Sequence, residues 1–193
     1  IWAPLKDGLK SVSLSANWMW PCKNEGEDAR LYQAVQAVSD FSIELGINVP
    51  TGKDSLSMKQ KYKDGDVISP GTVIISAAGN CNDITKVVEP VLQKSGGAIY
   101  YINLSKDAYK LGGSSFAQVM NKIGNEAPTV TDAAYLKNTF NTIQTLIKED
   151  AATNIPSIIA LLSSTSSNMN HFIRTSSPVR FYEKSFTGDT SLF

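Results

Sequence analysis

Histidine, cysteine, membrane-length apolar runs and any excess of charge are all scarce or missing in this chain. The one histidine, His171, has no cluster of metal-ligating partners in the sequence around it, so no catalytic role is assigned to it. Cys22 and Cys81 lie far apart and form no Cys-x-x-Cys or Cys/His ligand pattern. They read as reduced thiols rather than a disulfide framework. No apolar run approaches the roughly 18 residues that mark a membrane span, and Ile1 to Lys10 is no signal peptide. The 18 basic and 18 acidic side chains cancel, which argues against a general nucleic-acid binder with a basic footprint. Hydrophobic content of 42% over 193 residues is enough for one large globular domain or two small ones. The chain opens on Ile1 and reaches its first motif at once, so it is expected to begin inside a longer protein.

What the sequence does hold is concentrated between Leu14 and Met58. The most telling stretch is Gly52-Lys53-Asp54-Ser55-Leu56-Ser57-Met58, which follows a short apolar segment read as a strand, Ile47 to Val49. Gly52 allows a sharp turn and close approach to a ligand. Lys53 can neutralise phosphate, Asp54 can hold Mg²⁺, and the two serines can donate hydrogen bonds. This is not a Walker A loop, because five residues separate Gly46 from Gly52 and Asp54 follows the lysine. A polar turn that only braces the strand end is the competing reading.

The organisation around this motif is that of an α/β protein. Val12 to Ser15 alternates like a half-buried strand, and Asn17 to Glu25 reads as a polar-aromatic loop. A helix is predicted over 27–45 from Leu31, Val35, Val38 and Leu45, with Ala34 and Phe41 widening its stripe and Gly46 ending it. Glu27 and Asp28 read as charges favoured at its N-terminus rather than as metal ligands. Lys59 to Gly71, with Asp64-Gly65, reads as an exposed excursion, and Thr72 to Ala78 as a buried central strand. Ile84 to Gln93 is a weak helix interrupted by Pro90, Ser95-Gly96-Gly97 is a turn, and Ala98 to Leu104 is another strand. Leu111-Gly112-Gly113-Ser114-Ser115 opens a helix over about 115–123, its hydroxyls suiting a cap better than an anion site. A last helix over about 133–147 carries Leu136, Phe140, Ile143 and Ile147 on one face, with Asp132 as its cap.

Taken together, Leu14-Ser15-Ala16-Asn17-Trp18-Met19, Gly26-Glu27-Asp28-Ala29, Leu31-Tyr32, Ala34-Val35 and Gly52-Lys53-Asp54-Ser55 closely resemble the phosphoribosylformylglycinamidine synthase family, in its large glutamine-dependent form. The similarity continues through Ser69-Pro70, Val73 to Ala77 and Leu111 to Gln118, and covers about residues 1–149. The resemblance implies a mixed α/β fold of the aminoimidazole ribonucleotide synthetase type. Residues 1–94 would end an N-terminal α/β subdomain, with its sheet in a barrel-like dimer or pseudo-dimer, and residues 95–150 would start an α+β subdomain. It further implies a cytosolic ATP- and Mg²⁺-dependent ligase that turns formylglycinamide ribonucleotide into its amidine. Ammonia would come from glutamine on a separate amidotransferase domain, which this chain does not contain. The segment looks like the second of two related synthetase halves, so a nucleotide held here would be structural rather than consumed.

On that resemblance the nucleotide and phosphate candidates are Gly52, Lys53, Asp54, Ser55, Ser57 and Asn17, with Asp54 the metal candidate and no catalytic residue assigned. Asn17 equally suits satisfying loop backbone, and Trp18 with Trp20 suits a core as well as a cleft. The chain is expected to be inactive alone, its partners being substrate, ATP and the remaining synthetase and glutaminase domains. Self-association through unpartnered surfaces is expected as well. The alternative is a non-catalytic remnant that at most binds nucleotide. From Ala151 to Phe193, 14 of 43 residues are Ser or Thr, against 21 of the preceding 150, and the family's His-Asp-x-Ser-x-Gly-Gly motif is missing there. That tail is read as low in complexity and as a frameshifted or wrongly joined end.

Overall fold

The computed structural model describes residues 1–88, 99–108, 110–149, 158–161 and 181–183. The subdomain boundary expected at 94/95, the 95–97 turn, His171 and most of the Ser/Thr-rich tail lie outside the described residues. The chain divides into two compact units, Leu5–Cys81 and a second formed by Ile1–Pro4 with Asn82–Phe193.

In the Leu5–Cys81 unit, a short 3₁₀ turn at Gly8–Ser11 leads into strand β1, Val12–Met19. Helix α1, Glu27–Leu45, then returns the chain to β2, Asn48–Ser55, which runs parallel to β1. A hairpin of β3, Lys59–Tyr62, and β4, Gly65–Ile68, precedes β5, Thr72–Gly79. The sheet order is β2-β1-β5, with β5 antiparallel to β1. The fold is therefore mixed α/β with small sheets.

Helix α1 follows its sequence pattern closely. Leu31, Ala34, Val38, Phe41 and Leu45, spaced three and four apart, are half-buried or buried, while Val35 at the margin is 43% exposed. Gly46 ends the helix in the left-handed conformation at φ 75°, and its N–H bonds back to the Ile43 carbonyl.

Both strands around α1 run further than the sequence suggests. β1 passes through Asn17 and Trp18 to Met19, so these residues are not loop. They are hydrogen-bonded into ladders on both sides, and the strand ends only before Pro21. β2 does not stop at Val49 but carries Gly52-Lys53-Asp54-Ser55 within the strand, so the turn reading of that motif is wrong. Gly52 fits because a Cβ there would run into the Ala16 carbonyl oxygen across the parallel pair. The register also slips once. Ser13 pairs with Asn48, but Ser15 pairs with Thr51, so β2 carries one more residue than β1 at Val49-Pro50. Proline has no N–H to give to a ladder, and such irregularities on edge strands are where it is tolerated.

The Lys59–Gly71 stretch is the exposed excursion its charge suggested. It forms the β3–β4 hairpin, with Tyr62 paired to Gly65 and Lys59 bridged to Asp66 at 3.0 Å. Thr72–Gly79 corrects a second expectation. It is an edge strand rather than a buried central one, with Ile74 and Ile75 exposed by 52% and 40%. An apolar run alone does not say how many neighbours a strand has.

In the second unit, β6, Ile99–Asn103, is the centre of a parallel three-stranded sheet between β7, Ile158–Leu161, and β8, Phe181–Glu183. Of the weak helix expected from Ile84, the structure shows one 3₁₀ turn, Ile84–Lys86, among the described residues. Helix α2, Ser115–Val119, is shorter than its predicted span, and Ser114 caps it by accepting from the Ala117 N–H at 3.1 Å. Helix α3, Ala133–Lys148, starts at Asp132, whose carboxylate accepts from the Tyr135 N–H at 2.8 Å. Its buried face is Thr139, Ile143, Gln144 and Ile147, turned slightly from the expected stripe, with Leu136 and Phe140 half-buried. Ile143 and Ile147 join Ile102 and Leu104 in the core, and Ile1, Trp2 and Val88 pack on it. Gln144 is tolerated there because its amide donates to the carbonyls of Ile1 and Ala3, at 2.7 and 3.0 Å.

Candidate functional site

The β1–β2 ladder fixes where each candidate side chain can act. Residues directly opposite in a ladder share a face, and successive residues along a strand alternate between faces. Ser15 pairs with Thr51, Asn17 with Lys53, and Met19 with Ser55. Ala16 pairs with Gly52 and Trp18 with Asp54. The structure thus brings Asn17, Lys53 and Ser55 together on one face, where they are joined by Ser15 and Thr51. Gly52 and Asp54 belong to the opposite face, beside Ala16 and Trp18. Ser57 lies beyond the end of β2, its carbonyl accepting from the Lys59 N–H at 2.8 Å.

Ser15 and Thr51 were not singled out from sequence. The signal that finds them is the period-two recurrence of polar side chains at Ser13, Ser15 and Asn17 and again at Thr51, Lys53 and Ser55. Reading that second series as a turn hid it.

The two faces differ in charge as well as in membership. On the Lys53 face the ladder residues of β1 and β2 provide an ammonium, hydroxyls and an amide, and no carboxylate. The β1 and β2 ladder residues of the other face include Asp54 and no cation. Lys53 and Asp54 are both exposed. Asn17 Oδ1, by contrast, is closed to solvent and has no hydrogen-bond partner. An unmet buried acceptor costs about 1–3 kcal/mol, so this amide stands out on its face.

The aromatic pair lies against the reverse face. Trp18 and Trp20 rings have centroids 6.4 Å apart at a 53° tilt, and Trp20 is only 6% exposed. Gly71 closes over the Trp20 indole so tightly that any added Cβ would strike the ring. Trp20 is therefore core, as one of the two sequence readings had it. Beyond the sheet the main chain continues the ladder, the Trp20 N–H donating to Ser55 O at 2.9 Å and the Cys22 N–H to Leu56 O at 3.1 Å. Glu27 and Asp28 sit in the first turn of α1, where Glu27 accepts from Arg30 at 2.5 Å and Asp28 from the Ala29 N–H at 2.8 Å. Those contacts are helix-end contacts.

The chemistry of the donor set can be tested against a metal-bound phosphate. The Lys53 face fits the anion. It does not fit the metal, because Asp54, the carboxylate that would hold Mg²⁺, points away from that face. Among the described residues no group of three or more His, Cys, Asp and Glu side chains could hold a metal ion.

Two comparisons with known proteins bear on this site. Residues 1–80, which include every candidate named above, match the FGAR-AT PurM_N-like domain. Relatives extend the likeness past the domain. The chain is 45% identical over 153 residues to a probable phosphoribosylformylglycinamidine synthase, chloroplastic/mitochondrial, of Arabidopsis thaliana, and 40% identical over 153 residues to a probable one of Caenorhabditis elegans. It is 40% identical over 157 residues to the phosphoribosylformylglycinamidine synthase of Dictyostelium discoideum. These alignments take in 77–78% of this chain but only 11–12% of each relative's length. The resemblance to the synthase family drawn from the motifs is borne out, and the chain corresponds to a small part of its relatives. No described helix is long and apolar enough to cross a membrane.

Proposed function

We propose that this chain contributes part of the synthetase region of a phosphoribosylformylglycinamidine synthase. That enzyme is an ATP-dependent ligase that converts formylglycinamide ribonucleotide and glutamine to the amidine ribonucleotide in purine biosynthesis. The observation that carries the reading is the 40–45% identity over 153–157 residues to proteins of that name. Within it, residues 1–94 end an α/β subdomain of the aminoimidazole ribonucleotide synthetase type and residues 95–150 begin the α+β subdomain. ATP and Mg²⁺ are the cofactors of the whole enzyme, its setting is the cytoplasm, and the remaining synthetase and glutaminase domains are this segment's partners.

The candidate site supports a binding role for the segment more than a chemical one. Lys53 offers charge to a phosphate, and the neighbouring hydroxyls and amide orient it by hydrogen bonds. The β1 and β2 ladder residues on that face include no His, Asp, Glu or Cys, so these strands offer it no group suited to proton transfer near neutral pH. By itself the segment is expected to be inactive.

The test is a turnover assay with formylglycinamide ribonucleotide, ATP, Mg²⁺ and an ammonium salt, following ADP release. No turnover is expected from this chain by itself, and turnover is expected once the rest of a related synthase is supplied as a separate polypeptide. Turnover by the isolated chain would overturn the reading, and so would failure of the completed mixture when the intact relative is active.

A further inference from the structure

Lys53 and Asp54 are adjacent in sequence, and adjacency in a loop would let both grip one ligand. In a strand it forbids this, because neighbouring side chains leave the sheet in opposite directions. The ladder from Ser15/Thr51 to Met19/Ser55 is regular, so the alternation holds throughout the motif. An anion held by Lys53 therefore has the sheet between it and the Asp54 carboxylate.

Two further observations sharpen the division. The Lys53 face has no carboxylate in its β1 and β2 ladder positions, so these strands bring no repulsion to an anion there. The same face carries the unpartnered Asn17 Oδ1, directly across the ladder from Lys53. Its missing donor can be the Lys53 ammonium, drawn inward when the lysine orders around a ligand. The Asp54 face has no polar β1 or β2 partner for a phosphate at all, since Asp54 stands beside Trp18 and Gly52 beside Ala16.

We infer that the Lys53 face binds a phosphate ester without a metal ion, through Lys53 with Ser15, Asn17, Thr51 and Ser55, and that Asp54 takes no part in holding it. This deepens the binding role proposed above and rests on it. The ligand class is a phosphate monoester or other phosphorylated nucleoside in its metal-free form, rather than a Mg²⁺-chelated triphosphate. No bond is made or broken at this site.

The experiment is a calorimetric titration of the full chain with AMP and with ADP, each in EDTA and in Mg²⁺, for the wild type and for Lys53→Ala, Lys53→Met and Asp54→Asn. Both positions are exposed, and circular dichroism confirms that each variant keeps its fold. Saturable binding in EDTA is expected, weakened at least tenfold by either lysine substitution and changed less than twofold by Asp54→Asn. Binding that requires Mg²⁺ and is lost in Asp54→Asn would overturn the inference while leaving a nucleotide site in place. Absence of saturable binding by the wild type under any condition would remove both the inference and the binding role on which it rests.

Discussion

Helices α1 and α3 make an instructive pair. The longer, α1, has 19 residues, buries only Ser42 and Leu45 fully, and starts at Gly26 with no side-chain cap. The shorter, α3, has 16 residues, buries Thr139, Ile143, Gln144 and Ile147, and starts at a capping aspartate. Each has a legible apolar pattern, yet only α3 is sealed into a core with Ile102 and Leu104. Periodicity reports which face of a helix is apolar. It does not report how much surface arrives to cover that face, and coverage is what stabilises most helices in proteins.

The largest effect that separates the two should come from core truncation. Ile147, 1% exposed, sits in the α3 core, whereas Val35, 43% exposed, edges the α1 stripe. Ile147→Ala should cost about 2–5 kcal/mol in a denaturant titration, as buried aliphatic truncations do. Val35→Ala should fall within about 0.5 kcal/mol of wild type, as exposed substitutions do. Equal costs would erase the contrast. Next in size is Gly52→Ala, in the unit that holds α1. Its new Cβ would meet the Ala16 carbonyl, so β1 and β2 must part there, and a loss of about 1–3 kcal/mol is expected. If Gly52→Ala melts with the wild type, the close parallel pairing is not as tight as it stands here.

The smallest effect concerns the caps. The Tyr135 N–H and then the Lys106 ammonium, 2.9 Å away, hold the Asp132 carboxyl below its ordinary pKa. A carboxyl lowered in the folded state adds stability that is present above its unfolded pKa and lost as pH falls through the folded one. Asp132→Ala should therefore lower Tm at neutral pH, with the gap to wild type closing in acid below the carboxylate range. A gap that does not depend on pH would assign the loss to something other than the ionised cap. α1 has no such side-chain cap, so amides of its first turn should exchange before those of α3, and hydrogen exchange read by residue decides that.

Sequence alone gave α1 nearly to the residue, because Gly46 and the three-four spacing each mark it independently. It placed Asp132 as a cap, and the hydroxyls of Ser114-Ser115 as capping groups, for the same reason, since a cap is a local interaction between one side chain and an N–H two or three residues on. Strand ends were less accessible. Gly52-Lys53-Asp54-Ser55 has the composition of a turn, and its strand conformation comes from hydrogen bonds to β1, about 35 positions away in the chain. The edge position of β5 was hidden for a related reason, since order in a sheet is decided by partners rather than by the strand itself. The candidate site was half visible. Its residue types were plain, but their division between two faces depends on a register that no local pattern records.

That register turns on the one additional residue at Val49-Pro50. Because the side-chain period of a strand is two, the bulge sets the phase of everything after it. Were the same residues paired regularly from Ser13 and Asn48 with no bulge, Asn17 would face Gly52 and the Lys53 ammonium would emerge beside Trp18. No functional side chain would have been changed, yet each face would have exchanged its sign of charge. The bulge between α1 and Thr51 is thus as much a determinant of the site as the identity of Lys53. A single-codon insertion there, which must enlarge the bulge or shift the phase, should be tolerated far less than a single-codon deletion, which leaves a regular ladder with the same partners.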